Sequence, residues 1–310
     1  MENCKDFEPG FSRMKNNSLN DNQKKGKPFF YLMTTTVFFS ILNIYTRIVY
    51  KKYFSFLLYP FLLLLSISVL YIISDPMIVV RAGDYFVALN VETDHILDKE
   101  KYFPAYKEFE DKHKIIQEEL THLLQDTNCG KDIGFTRDTY GNGGIGRDVD
   151  EEKNRGWRVY HIKLGNDIIK GTEKYFPNLI ETIKKYPEIK NVTISILDEK
   201  TTIPIHVGYY KGIMRFMLAL KVPKQKEECY LCINGDKYVW EEGKTILWDD
   251  NFPHKVFNKT EEQRVVVYMD IVRPDLSWGR KKFNSVFESI IYNSPIIKEE
   301  VKRTEKRQNL

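Results

Sequence analysis

Two histidines and one arginine in the last third of the chain have the types and order needed to hold a metal ion and a dicarboxylate. His206 and His254 fall at the ends of predicted strands, and Arg264 follows the second histidine by ten residues. Iron(II) is well served by neutral imidazoles on rigid strands, with coordination positions left open for oxygen and a co-substrate. A dicarboxylate co-substrate needs a fixed guanidinium at the far end of its pocket, because Arg meets a carboxylate with two parallel N–H donors. The acid that such iron sites often carry two residues after the first histidine is replaced here by Gly208. Asp249 and Asp250 precede His254 by five and four residues. One of them is expected to orient an imidazole N–H rather than to bind metal. For Arg264 the competing expectation is an ion pair with its acidic neighbours Glu261 or Glu262.

Taken together, Pro204, His206-x-Gly208, Arg215, Asp249-Asp250, His254, Asn258-x-Thr260 and Arg264 resemble the aspartyl/asparaginyl β-hydroxylase family. Members are iron(II)- and 2-oxoglutarate-dependent dioxygenases, and they include membrane-bound lipid A hydroxylases of bacteria. The resemblance is clear over residues 155–275, fainter over 100–155, and does not reach the first 75. It implies His206 and His254 as the iron ligands, with the third position left to solvent or co-substrate. By the same resemblance Arg264 meets the remote carboxylate of 2-oxoglutarate, Arg215 its metal-proximal end, and Ser195 helps to hold it. Trp157 is either a wall of that pocket or plain core. Met217 departs from the pattern, because the family commonly has a second histidine there. The implied substrate is an Asp or Asn side chain of a protein, or an acyl chain of a lipid. A catalytically impaired, membrane-anchored binding protein of the same fold is the alternative, motivated by Met217.

The elements that must position these residues are mostly strands. "WRVYHIKL" from Trp157 alternates as a half-buried strand does, and His161 within it reads as structural. "NVTISIL" (191–197) carries Ser195, and 213–222 carries Arg215 outward, opposite Met214. "YLCI" and "KYVW" flank Asn234-Gly235, a hairpin signal because both residues tolerate positive φ. "TILW" leads to His254, and "QRVVVYMDIV" makes a long central strand. Many short antiparallel strands with tight turns predict a mainly β, closed or double-sheet architecture. The resemblance sharpens this to a double-stranded β-helix (jelly roll) with flanking helices and an N-terminal transmembrane segment. Helices are predicted at 99–125, with Pro104 in the first turn, and at 176–186. Between 126 and 156 lies a long polar loop, read as a lid or substrate-contacting segment. Its Gly141-Asn-Gly143-Gly144-Ile-Gly146 matches G-x-G-x-x-G formally, but no buried strand precedes it and no apolar helix follows, which excludes a dinucleotide site.

The chain has 310 residues, 42% of them hydrophobic, and a net charge of +4. Its basic residues form no stripe interleaved with aromatics, so nucleic acid is not an expected partner. Residues 53–73, "YFSFLLYPFLLLLSISVLYII", are apolar and long enough to cross a bilayer. Residues 29–46 are uncharged and form either a second span or an interfacial helix. A membrane location with one or two passes follows. One span would put the start of the chain in the cytosol and the catalytic part across the membrane, and two would put both ends in the cytosol. Cys4, Cys129, Cys229 and Cys232 are too few for a disulfide framework and read as structural. The expected organisation is a disordered polar tail (1–28), membrane segments (29–75), a helical and loop lead-in (76–155), the dioxygenase domain (156–275) and a C-terminal helix with a charged tail (276–310).

Overall fold

The computed structural model describes residues 4–7, 11–15, 18–50, 55–75, 77–89, 91, 93–125, 136–137, 156–208 and 210–308. The glycine-rich stretch 141–146 and Cys129 lie outside these. Helices come first: α1 (Asp21–Tyr50), α2 (Ser55–Ser74), α3 (Ile78–Ala88), α4 (Lys99–Tyr102), α5 (Tyr106–Asp111) and α6 (His113–Gln125). Strands β1 (Thr136–Arg137), β2 (Trp157–Leu164) and β3 (Asp167–Ile168) follow, then α7 (Pro177–Lys184). The remaining strands are β4 (Ile189–Leu197), β5 (Thr201–His206), β6 (Ile213–Lys221), β7 (Cys229–Ile233), β8 (Asp236–Val239), β9 (Thr245–Trp248), β10 (His254–Asn258) and β11 (Arg264–Val272). Helices α8 (Trp278–Tyr292) and α9 (Pro295–Gln308) end the described chain.

Among the described residues the strands form two antiparallel sheets. The larger has the order β1-β2-β4-β11-β6-β9, with β3 paired to β2, and the smaller has the order β5-β10-β7-β8. From β4 onward the chain passes back and forth between them: β4 in the large sheet, β5 in the small, β6 large, β7 and β8 small, β9 large, β10 small, β11 large. That alternation is the double-stranded β-helix.

The strand period of two sorts the side chains of the large sheet. Ile194, Ile196, Met214, Phe216, Leu218, Val265, Val267 and Met269 form one core with Phe109, Ile116, Leu120 and Leu179 of the covering helices. The alternate residues Leu197, Met217, Ala219 and Val266 form a second core between the sheets, with Cys229, Leu231, Ile233 and Val256 of the small sheet. Arg215 lies opposite Met214 as expected. The face it shares with Met217 looks into the space between the sheets, however, and not outward. Asn234 (φ 51°) and Gly235 (φ 93°) make the two-residue β7–β8 turn, with Ile233 opposite Asp236.

Several expectations about the flanks need correcting. The described part of 1–28 is no disordered tail: Asn20 and Gln23 are buried, Cys4 is bonded to Cys232, and α1 already begins at Asp21. The predicted 99–125 helix is broken into α4, α5 and α6. A residue before proline is pushed out of the helical region, and Phe103 takes φ −150°, ψ 71° ahead of Pro104. The C-terminal tail is helical, and Gln308 bonds both the N–H and the C=O of His161. Cys229 and Cys232 point to opposite faces, the first into the inter-sheet core and the second to the outer face of the small sheet.

Helix α1, from Asp21 to Val49, is long and apolar enough to cross a membrane. A second such element arises if Tyr59–Ser74 and Ile78–Ala88, bent by 105°, count as one broken span.

Candidate active site

His206 ends β5 and His254 begins β10, and the two are directly opposed in the antiparallel register. Their ring centroids are 4.0 Å apart. Each imidazole uses Nδ1 toward the carbonyl oxygen two residues before it: His206 to Pro204 at 2.8 Å, His254 to Phe252 at 2.9 Å. A carbonyl only accepts, so Nδ1 carries the hydrogen and Nε2 keeps its lone pair. That is the tautomer a metal ligand needs. Burial, outweighing the Pro204 contact, lowers His206 to about 4. Burial and the neighbouring His206 hold His254 well below its ordinary value, and Arg215 adds to both. The pair is therefore neutral at neutral pH. Trp248 meets the His254 ring edge-on, with centroids 4.6 Å apart.

Backbone carbonyls, and not Asp249 or Asp250, orient these rings, which corrects the role expected for the acidic pair. Asp249 is buried in an ionic cluster with Lys211 and with Arg273 at 2.5 Å, and it also accepts from Thr93 at 3.1 Å. Burial would push its pKa up, but the two cations outweigh burial and hold it near 2. Asp250 accepts from Arg215 Nη2 at 3.0 Å. Burial pushes its pKa up to about 6 against the pull of that guanidinium. The carboxylate of Asp250 also explains Gly208, whose N–H donates to the Asp250 carbonyl at 2.6 Å. A Cβ on residue 208 would fall inside the Asp250 carboxylate. The acid missing after His206 thus has no room, because another acid occupies its place. Among the described residues no group of three or more His, Cys, Asp or Glu could hold a metal ion.

Arg264, Ser195 and Trp157 lie on the inner face of the large sheet. Leu197 of β4 pairs with Arg264 on one side and Trp157 on the other, while Ser195 pairs with Val266. Trp157 Nε1 donates to Ser195 Oγ at 2.9 Å. Arg264 is 1% exposed. Among the described residues it has no ion pair, and its Nε has no hydrogen-bond partner. Its guanidinium lies 5.2 Å from the Trp240 ring, and burial lowers its pKa to about 10. The acidic neighbours are committed elsewhere: Glu261 pairs with Lys200 at 2.7 Å, and Glu262 accepts from the Lys224 N–H at 2.7 Å. Burying a cation without an anion is costly. Arg264 is left without an anion among the described residues, whereas Arg215 is already engaged by Asp250 and Asp270, each at 3.0 Å.

Two inner-face residues escaped the sequence reading. Trp240 and Trp248 are buried, and neither Nε1 has a partner among the described residues. A Trp at the end of a predicted strand was the available signal. Nothing local tells a core indole from one with a donor left to satisfy.

Comparison with known proteins identifies the family. Residues 110–274, more than half of the chain, match the family described as aspartyl/asparaginyl beta-hydroxylase. The chain belongs to that family. It is 30% identical over 126 residues to the ornithine lipid ester-linked acyl 2-hydroxylase of Rhizobium tropici, covering 41% of this chain and 44% of that protein. It is 28% identical over 106 residues to human aspartyl/asparaginyl beta-hydroxylase, covering 33% of this chain and 14% of that one. The chain thus spans less than half the length of either relative. Among solved structures, an oxidoreductase of the 2OG-Fe(II) oxygenase family from Burkholderia pseudomallei overlaps at a TM-score of 0.30. That pair is 13% identical, covering 37% of this chain and 66% of that one, which is too slight a likeness to argue from.

Proposed function

We propose that this chain is a membrane-anchored hydroxylase that uses iron(II) and 2-oxoglutarate. The observation that carries the reading is Arg264, a buried guanidinium with no anion beside it among the described residues, facing the same inter-sheet space as two neutral imidazoles. His206 and His254 present their Nε2 lone pairs to the metal. Arg264 donates a forked pair of N–H bonds to the remote carboxylate of the co-substrate. Ser195 and Trp157 line the wall beside it, and Arg215 contributes positive charge near the metal-proximal end. When bound, iron(II) and 2-oxoglutarate supply the dioxygen chemistry that replaces a substrate C–H by C–OH. The chain's own part is to orient these groups and exclude water, which the apolar inter-sheet core does.

The substrate favoured is a lipid acyl chain at the bilayer surface. Asn251, three residues before His254, hydrogen-bonds Asn20 and Gln23 at the root of α1, so the histidine loop is tied to the membrane helix. An Asp or Asn side chain of a protein is the second reading, supported by the human relative. The test is succinate formation by the full chain in detergent with iron(II), ascorbate and 2-oxoglutarate. Turnover that disappears in His206→Ala is expected. Silence in the wild type, with no iron-dependent binding of 2-oxoglutarate, would favour the impaired binding protein that Met217 brings to mind.

A further inference from the structure

We propose that α1 and α2 cross the bilayer as a hairpin. Residues 4–20 and the catalytic domain then share one face of the membrane, the oxidising one, where the Cys4–Cys232 disulfide joins them. The inference rests on the membrane anchoring proposed above and adds the number of crossings and the side.

The residues before α1 are fastened to the catalytic domain at several separate points. Cys4 is bonded to Cys232 of β7. Lys255 of β10 donates to the Asp6 carbonyl at 2.9 Å. Asn234, in the β7–β8 turn, accepts from the Met14 N–H at 2.6 Å and donates to the Met14 carbonyl at 2.9 Å. Asn20 and Gln23 reach Asn251 at 3.3 and 3.2 Å. A segment on the opposite side of a bilayer could make none of these contacts. An even number of crossings is therefore required between residue 20 and the catalytic domain.

The two helices have the form such a path needs. Phe29 near the start of α1 packs on Tyr71 near the end of α2, with ring centroids 5.9 Å apart, so the helices run antiparallel. Phe29 also packs with Ile78 and Ala82 of α3, which places the root of the hairpin against the domain. Away from that root Phe38, Ile41 and Ile48 of α1 and Leu62, Leu63 and Leu65 of α2 are exposed, and so are Leu70 and Ile73 nearer to it. No charged residue occurs in 29–46 or 55–74. Twenty helical residues span roughly 30 Å, the thickness of the hydrocarbon layer. The hydroxyls of Thr36, Ser40, Ser66 and Ser68 are satisfied by carbonyls one turn back in their own helices, as hydrocarbon surroundings demand.

Basic residues are more numerous on the root side (Arg13, Lys15, Lys24, Lys25, Lys27 and Arg81) than between the helices (Arg47, Lys51 and Lys52), and by charge alone a hairpin would keep its root in the cytosol. The disulfide argues for the other side and carries more weight here, because such bonds persist in oxidising compartments and are rare in the cytosol. The substrate then reaches the histidine loop from that same side.

The test uses the full chain in sealed vesicles from expressing cells, with a membrane-impermeant maleimide-polyethylene glycol read as a band shift. Exposed positions are changed one at a time: Ser18→Cys before α1, Arg47→Cys at the far end of α1 and Ser285→Cys on α8. The 18 and 285 reporters are expected to label together in vesicles of one orientation, and the 47 reporter only in the other. Labelling of 18 and 285 from opposite faces, or of all three from one face, overturns the hairpin. A second measurement counts adducts after denaturation, so a variant that fails to fold still reports. Of the four cysteines, Cys4 and Cys232 are joined and Cys229 is free among the described residues, so the unreduced wild type is expected to take two adducts fewer through the Cys4–Cys232 bond than it takes once that bond is reduced. Unreduced Cys4→Ser is expected to take one adduct more than unreduced wild type. Four adducts on the unreduced wild type overturn the oxidising face. Neither readout involves turnover, so failure here is separable from failure of the succinate assay.

Discussion

Arg264 distinguishes a binding site from a structural ion pair by the sign of two measurements. Replacing a buried, unpaired cation with Leu removes a desolvation cost, so the ligand-free chain of Arg264→Leu is expected to melt no lower than wild type. Turnover with 2-oxoglutarate is expected to fall at least about 100-fold, the scale of losing a charged hydrogen-bonding partner. Arg264→Lys should rescue only part of it, because an ammonium keeps the charge and loses the fork. A lower melting temperature with turnover intact would make Arg264 a structural residue. Gly208 yields the second prediction at this scale. Gly208→Asp would restore the acid found in many iron sites, yet its Cβ falls on the Asp250 carboxylate. The expected result is a destabilised chain, by about 1–3 kcal/mol for overpacking, with turnover lost and iron binding no tighter. Iron binding strengthened by this change would show that Asp250 yields easily. The residue types and order of the two histidines and Arg264 were legible in the sequence. The competing pairing of Arg264 with Glu261 or Glu262 was not decidable there, since it depends on where two exposed glutamates turn.

At the scale of elements, the close approach of α1 to α3 gives a third test. A Cβ on Gly26 would fall on the Arg81 carbonyl, and backbone cannot move aside as a side chain can. Gly26→Leu is expected to part the hairpin root from α3 and lower the melting temperature in detergent. The two sheets should persist, as read by unchanged β-type circular dichroism, and an unchanged melting temperature would deny the contact. The strands themselves were readable from the sequence. Their period of two, and the Asn234-Gly235 turn, are local properties that the tertiary fold reinforces. The helices were read less well. The apolar spacing of 99–125 ran through Pro104 as one helix, whereas the restriction on Phe103 breaks it. The polar composition of 1–28 suggested disorder, because the partners of Cys4, Asn20 and Gln23 lie more than two hundred residues away.

For the molecule as a whole, the buried histidines link folding to pH. His206 has a folded value near 4 against 6.5 in its ordinary state. Between these values the unfolded chain binds a proton that the folded chain refuses, so this residue makes stability rise as pH rises from about 4 to 6.5. Asp250, near 6, and Glu288, near 7, act in the opposite sense, because their folded values lie above those of free carboxyls. The difference between wild type and His206→Gln isolates the histidine. In metal-free protein the wild type is expected to gain on the variant, by on the order of 1–3 kcal/mol, across that window. Equal slopes in chemical denaturation from pH 4 to 6.5 would mean that His206 is solvated. By itself the sequence determined the strand pattern, the apolar helical segments and the types and order of the residues from which an iron and dicarboxylate site is proposed. Those depend on side-chain type and short-range order. Only the tertiary structure decided that Arg264 has no anion beside it among the described residues, that Asp250 fills the place beside Gly208, and that Cys4, Asp6, Met14 and Asn20 return to the domain. Each of these is a meeting of distant segments, fixed by how two sheets close on one another and by which buried charges find partners.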